Sequence, residues 1–400
     1  MRFHTLAFIL LLLAVILPDL FFYFKLKKHR AKFFLHMLNL LPTTFFMTVF
    51  FIMKFNNSNE YQPELFMFFM WMNFVFMIMY LPKLVYITFH FLNFLINLFL
   101  KEKIYLIRYA GVLTGMFLVT LFAHGAFVNP KIIEVRQTEI EVSGLPPAFD
   151  GYKIVQLSDA HLGSWGKKFR YMEPVIKKVN EQEADILVFT GDIVNNFCQE
   201  MNGWETIFRQ LKSKEGKYAI LGNHDYGDYS RWKNIKDKQA NFAAIKENMK
   251  GFGFKLLTNE FVQLKRDSDM IELIGVENWG KPPFPKYGNL DKALMETDSN
   301  VLKILLSHDP SHWKGEVMGK EKIFLTLSGH THAAQMAFKM YGKVISPSSL
   351  IYEEWDGLYR EGNQYLYINR GLGFIGIPVR LGVARPEVTV ITLRSKKQDT

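Results

Sequence analysis

Five short segments of this 400-residue chain end in side chains that bind divalent cations. They read Ser158-Asp159-Ala160-His161, Gly191-Asp192, Gly222-Asn223-His224-Asp225, His308-Asp309-Pro310 and Gly329-His330-Thr331-His332. Imidazole nitrogen, carboxylate oxygen and amide oxygen together suit borderline ions such as manganese, zinc and iron. Two such ions, if five- or six-coordinate, need about ten to twelve donor positions between them, water included. A carboxylate common to both offsets their repulsion. A pair roughly 3.5–4 Å apart clamps the attacking and leaving oxygens of a phosphoryl displacement. A water bridging the two metals loses its proton readily, giving a hydroxide that attacks phosphorus near neutral pH. Each segment alone has an ordinary explanation as a helix cap, a turn or a buried imidazole. Five at once need a common cause.

The elements that must position these side chains are legible beside them. Each segment follows an apolar run: 153–157, 185–189, 218–221, 302–306 and 323–327, with a further run at 271–276. Runs of that length bounded by glycine or polar residues predict buried strands. Amphipathic stretches at 171–185 and 241–254 predict helices between them. Strand and helix alternate, so the region is α/β with helices outside the sheet. In such a fold the carboxyl ends of the strands are where ligands collect. Glycine beside several of the candidate ligands lets the chain turn sharply there.

Asp159-x-His161, Gly191-Asp192, Gly222-Asn223-His224-Asp225, His308 and Gly329-His330-x-His332 resemble the calcineurin-like metallophosphoesterase superfamily. All five blocks occur in the family's order over roughly residues 138–395. The entry "VSGLPPAFDGYKIVQLSDAHLG" and the ending "NRGLGFIGIPVRLGVARPEVTVITL" are similar to the membrane-anchored or exported bacterial branch. The resemblance implies a four-layer α/β/β/α sandwich over residues 138–396 that holds two divalent ions (Mn, Zn or Fe). Carried over by motif, one ion takes Asp159, His161, Asp192 and His332. The other takes Asp192, Asn223, His308 and His330. His224 matches the histidine that contacts phosphate and protonates the leaving oxygen. Asp225 is expected to orient His224 or its loop. The phosphoprotein-phosphatase branch follows Gly-Asp with a further aspartate and arginine; Asn195 and Asn196 stand in that stretch here, which argues against that branch.

The first 130 residues are of another kind. Apolar runs at 6–24, 33–53, 65–81 and 110–128 predict about four membrane spans in an all-α transmembrane domain, residues 1–130. The third is expected to end near Pro82 or to continue as an interfacial helix to Leu100. Lys25, Lys27, Lys28, Arg30 and Lys32 crowd the first loop and place it in the cytoplasm, whereas Glu60 and Glu64 mark the second as external. Lys101, Lys103 and Arg108 draw the third loop inward. Four spans then leave the catalytic region on the outer face of a bacterial cytoplasmic membrane. His36, His90 and His124 fall in or near the spans without acids spaced to pair with them, so a transport pathway is a poor reading.

The net charge of +10 suggests nucleic acid until it is located. Residues 1–138 hold 13 Lys and Arg against 5 Asp and Glu; the rest hold 35 against 33. The remainder therefore offers no phosphate-tracking surface, and no nucleic-acid partner is expected. Cys198 is the sole cysteine, which excludes an intrachain disulfide and thiolate clusters. The expected function is hydrolysis of a phosphoester or pyrophosphate at the membrane, on a substrate that is lipid-linked in one version of the reading. The alternatives are a nucleotide or cyclic-nucleotide phosphodiesterase and a non-catalytic metal-binding sensor. Arg370 and Arg380 are further candidates for neutralising substrate phosphate, and "IYEEWDG" for a lid.

Overall fold

A computed structural model describes residues 5–55, 63–282, 284–319 and 322–396. Residues 56–62, which include Glu60 of the acidic loop, lie outside the described set. The chain divides into two compact units, one of helices and one built around sheets.

The helical unit contains α1 (Thr5–Lys28), α2 (Phe33–Phe55), α3 (Pro63–Asn97) and α4 (Leu106–Phe127). Each is long and apolar enough to cross a membrane, and all are apolar around most of their circumference, which suits lipid rather than water. Of the two readings of the third span, continuation past Pro82 is the one found: α3 runs for 35 residues with Pro82 inside it. A neighbouring helix packs against this stretch. Gly111 and Gly115 of α4 stand one turn apart, and an added Cβ would meet Phe89 Cβ at 2.6 Å and Pro82 Cβ at 3.3 Å. Small residues at that spacing let α4 approach α3 closely at Pro82 and Phe89. The spans also hold a buried ion pair that the sequence reading did not anticipate. Asp19 of α1 is buried, accepts hydrogen bonds from Thr43 Oγ1 (2.6 Å) and Tyr80 Oη (2.8 Å), and pairs with Lys83. A carboxylate in an apolar span is tolerated when it is satisfied in this way.

The second unit is a sandwich. One six-stranded sheet has the order β1 (Glu134–Val142), β15 (Glu387–Ser395), β2 (Lys153–Leu157), β3 (Ile186–Thr190), β4 (Gly216–Ile220) and β5 (Lys255–Leu256). The other has the order β12 (Gly357–Glu361), β13 (Gln364–Ile368), β9 (Ile323–Ser328), β8 (Lys303–Leu306), β7 (Asp269–Gly275) and β6 (Glu260–Arg266). A third, small sheet joins β11 (Lys343–Ile345), β10 (Met336–Met340) and β14 (Leu381–Gly382). The expected strands fall within two or three residues of the observed ones, because an uninterrupted apolar run is what a strand covered on both faces requires.

Alternation along the strands sets the layers. Ile154, Ile186, Val188 and Ile220 meet Leu273, Ile304, Leu306, Leu325 and Leu327 between the two large sheets. On the outer face of the first sheet, Val155, Leu157, Leu187 and Phe189 pack on Val175 and Val179 of α5 (Glu173–Asn180), Phe208 of α6 (Glu205–Phe208) and Ile245 and Met249 of α7 (Ile235–Gly251). On the outer face of the second, Ile274, Leu305 and Leu366 meet Leu290 and Ala293 of α8 (Leu290–Leu294) together with Trp313 and Val317. The result is the expected α/β/β/α arrangement. Strands β2 and β3 of one sheet, and β8 and β9 of the other, lead directly into four of the five polar segments; the fifth follows β4.

Candidate metal centre

The loops leaving these strands bring the candidate ligands from both sheets together. Asp159, His161 and His332 each place one donor atom within 4.8 Å of the others, and Asp192, His308 and His330 form a second group on the same criterion. Asn223 joins the second: its Oδ1 lies 3.1 Å from His308 Nε2 and 2.8 Å from His330 Nδ1. Asp192 faces both groups. Its Oδ2 is 3.6 Å from His161 Nε2 and 3.2 Å from His308 Nε2, while its Oδ1 accepts the His224 amide at 2.8 Å.

The backbone is bent hard to achieve this. Asp159, His161, Asp192, His330 and His332 have φ of 51°, 44°, 60°, 72° and 50°. Left-handed backbone costs a non-glycine residue roughly 1–2 kcal/mol, so the surrounding structure must hold these turns in place. The loops also approach each other at near contact. A Cβ on Gly222 would lie 2.2 Å from Asp192 Oδ1, and one on Gly329 2.0 Å from Ser158 Oγ.

The donor set fits a pair of cations. His161 Nε2 and His332 Nε2 face each other at 3.1 Å, and His330 Nδ1 and His308 Nε2 at 3.3 Å. Two neutral imidazoles aimed at one point repel unless a proton or cation lies between them. His308 Nδ1 donates to the Thr190 carbonyl at 2.7 Å, which leaves its Nε2 as the donor atom toward a metal. His330 is oriented from the other side, its Nε2 lying 2.8 Å from Tyr352 Oη. The electrostatics agree. Burial disfavours a protonated His308, yet Asp192 and Asp159 push its pKa up to about 10. Burial likewise opposes ionisation of Asp159, but His332 and His308 hold its carboxyl well below the usual range. Burial drives His161 well below the ordinary histidine value. The pocket therefore favours ionised carboxylates, a neutral His161 and added positive charge.

His224 and Asp225 occupy different positions. His224 is partly buried, and its Nδ1 donates to the Asn195 carbonyl at 2.8 Å. Its ring stands edge-on to His161 at 5.0 Å and lies 4.6 Å from Tyr229. Asp225 makes no such contact with His224. One of its oxygens accepts the amides of Asp192 and Gly222, both at 2.9 Å; the other accepts Ile193 and Val194 at 2.9 and 3.2 Å. It shapes the loop that carries Asp192.

Several supporting groups were not apparent from sequence. Glu200 is buried, and its carboxylate accepts the amides of Gly163, Asn195, Asn196 and Phe197 and the Asn195 side chain, at 2.6–3.1 Å. It thereby fixes the carbonyl that holds His224. Tyr229 Oη accepts from Asn223 Nδ2 at 2.9 Å, and Phe284 packs edge-on to His330 at 4.8 Å. The tyrosines gave no signal in sequence because no metal-ligand spacing requires them. Of the other candidates, Arg370 is taken by Asp356 at 2.7 and 2.8 Å. Arg380 is fully buried and donates to the carbonyls of Gly373, Arg370 and Ala384. Both brace the segment beneath His332.

Comparison with known proteins agrees with this geometry. Residues 152–334 match the family described as calcineurin-like phosphoesterase. The chain is 33% identical over 280 residues to the uncharacterized metallophosphoesterase YkuE of Bacillus subtilis, covering 68% of this chain and 90% of that one. It is 31% identical over 274 residues to a transmembrane protein with metallophosphoesterase domain of Bos taurus, covering 65% of this chain and 57% of that protein. An uncharacterized metallophosphoesterase of Aquifex aeolicus is 27% identical over 288 residues, 70% of this chain and 99% of its own length. With two facing donor groups and four helices fit to cross a membrane, the chain belongs to the calcineurin-like phosphoesterases, hydrolases that use two divalent metals.

Proposed function

We propose that this membrane protein hydrolyses phosphoesters, with Asp159, His161, Asp192 and His332 holding one ion and Asp192, Asn223, His308 and His330 the other. The observation that carries this reading is the Asp192 carboxylate, which lies 3.6 and 3.2 Å from one histidine of each donor group. When bound, the ions supply positive charge against the phosphate oxygens and acidify a water. The protein's own contribution is placement. Asp225 and the close approach at Gly222 hold the Asp192 carboxylate, and Thr190 and Tyr352 fix which nitrogen His308 and His330 present. His224 delivers a proton to the leaving oxygen, its ring oriented by Asn195; such transfer is worth a factor of roughly 10²–10⁴ in rate. A purely metal-binding sensor would have no use for His224 held in this way.

The basic first loop and the acidic second loop favour four crossings, with the hydrolase on the outer face of a bacterial cytoplasmic membrane. Tethering there favours a lipid-linked phosphate, since the anchor raises the local concentration of such substrates. The decisive assay uses full-length protein stripped of metal and resupplied with manganese, acting on bis-p-nitrophenyl phosphate. Turnover is expected, and Asp192→Asn should abolish it. Equal inertness of both proteins would overturn the hydrolase reading. Cytoplasmic activity of a reporter fused after Thr400 would overturn the orientation.

A further inference from the structure

A concavity separate from the metal centre lies in the sheet unit. It measures about 640 Å³ and is walled by Lys131, Lys167, Lys168, Phe169, Arg170, Tyr171 and Pro174. Four of these seven residues are cations and none is an acid. The size is that of a small-molecule site. Its aromatic wall is fixed from behind: the Tyr171 ring packs 4.9 Å from Trp165, and Phe169 packs 4.9 Å from Trp204. Both tryptophans are buried, so this part of the wall exists before any ligand arrives.

Lys131 indicates where the cavity stands. It is the last residue of the fourth membrane-fit segment, Leu106–Lys131. A wall covalently joined to the end of a span is confined to the polar boundary of the bilayer, where the phosphate groups of lipids lie. We infer that this cavity binds the headgroup of an anionic phospholipid, its phosphate among Lys131, Lys167, Lys168 and Arg170 and its glycerol and first acyl carbons along Phe169, Tyr171 and Pro174. Arginine binds phosphate bidentately, while lysine adds point charge. Long cationic side chains lay their stems on apolar surface and keep their charge at its edge, as this amphipathic ligand requires. A water-soluble phosphate would use the cations but leave the aromatic wall uncovered.

The inference does not depend on the hydrolase reading, because binding is measured without turnover. Full-length protein in neutral detergent is titrated with dioctanoyl phosphatidylglycerol, dioctanoyl phosphatidylcholine and sn-glycerol 3-phosphate, and bound ligand is counted by native mass spectrometry. One phosphatidylglycerol per chain should bind in preference to phosphatidylcholine. Removing two of the cations in Lys167→Gln/Arg170→Gln should weaken it roughly 25-fold. Lys131→Gln, on a different segment, should weaken it roughly 5-fold. All three side chains are exposed, so the variants should keep the melting temperature and phosphoester turnover of the parent. Equal binding of phosphatidylcholine, unchanged binding in both variants, or competition by glycerol phosphate as strong as by the lipid would each overturn the proposal.

Discussion

Glu200 gives the sharpest test of how the site is supported. One of its oxygens accepts Gly163, the Asn195 amide and the Asn195 side chain; the other accepts Asn196 and Phe197, both at 2.9 Å. Five N–H donors leave no acceptor for a carboxyl proton, so although burial pushes its pKa up, the group functions as a carboxylate. In Glu200→Gln one oxygen becomes an NH₂ that must point at donors. The less damaging orientation places it against Asn196 and Phe197, losing two hydrogen bonds and leaving two amides unpaired. At about 1–3 kcal/mol for each, and toward the low end because both are partly buried, the loss is about 2–3 kcal/mol. For a unit of this size that lowers Tm by about 4–12 °C. The same loop carries the Asn195 carbonyl, so His224 loses its orientation as well. We expect kcat on bis-p-nitrophenyl phosphate to fall roughly 10- to 100-fold with KM little changed. A Tm within about 1 °C of the parent together with unaltered kcat would refute this account of how His224 is held.

Three further outcomes follow from the geometry. Tyr352→Phe removes the hydroxyl 2.8 Å from His330 Nε2 and should lower metal affinity roughly 10- to 100-fold, measured by competition with a chelator; unchanged affinity would contradict the role given to Tyr352. Gly222→Ala would force a Cβ to 2.2 Å from Asp192 Oδ1, so metal content by elemental analysis and activity should fall together while far-ultraviolet circular dichroism is retained. Burial holds His312 down at about 4, below the ordinary 6.5, so the folded state resists its protonation. Its stabilising contribution is present above pH 6.5 and lost as pH falls toward 4, by about 3 kcal/mol in full. His312→Gln should flatten that part of the stability profile relative to the parent, as measured by urea unfolding; parallel profiles would contradict it.

Sequence revealed the ligands more readily than what holds them. A strand covered on both faces needs an apolar run and a metal needs nitrogen or oxygen donors, so both requirements are visible in residue type. The partners of Glu200 and Asp225 are backbone amides, which every residue has and no letter displays. Asp19 and Lys83 are 64 positions apart, and nothing local marks them as a pair. Around Pro82 the residue types admit both an end to the third span and its continuation, and nothing local decides between them. One element was readable and was not anticipated: Gly362-Asn363 between β12 and β13 is a two-residue hairpin turn of ordinary type.

Five of the seven residues we assign to the metals adopt left-handed backbone, and this has a consequence for the cell. Because the turns are imposed by the scaffold, the cradle stands ready before anything occupies it, and filling it requires little ordering. A ready-made seat of mixed imidazole and carboxylate character discriminates weakly among first-row elements. The occupant is then chosen by the surroundings, so the same polypeptide grown on manganese-rich or zinc-rich medium should emerge carrying different elements on an unchanged frame.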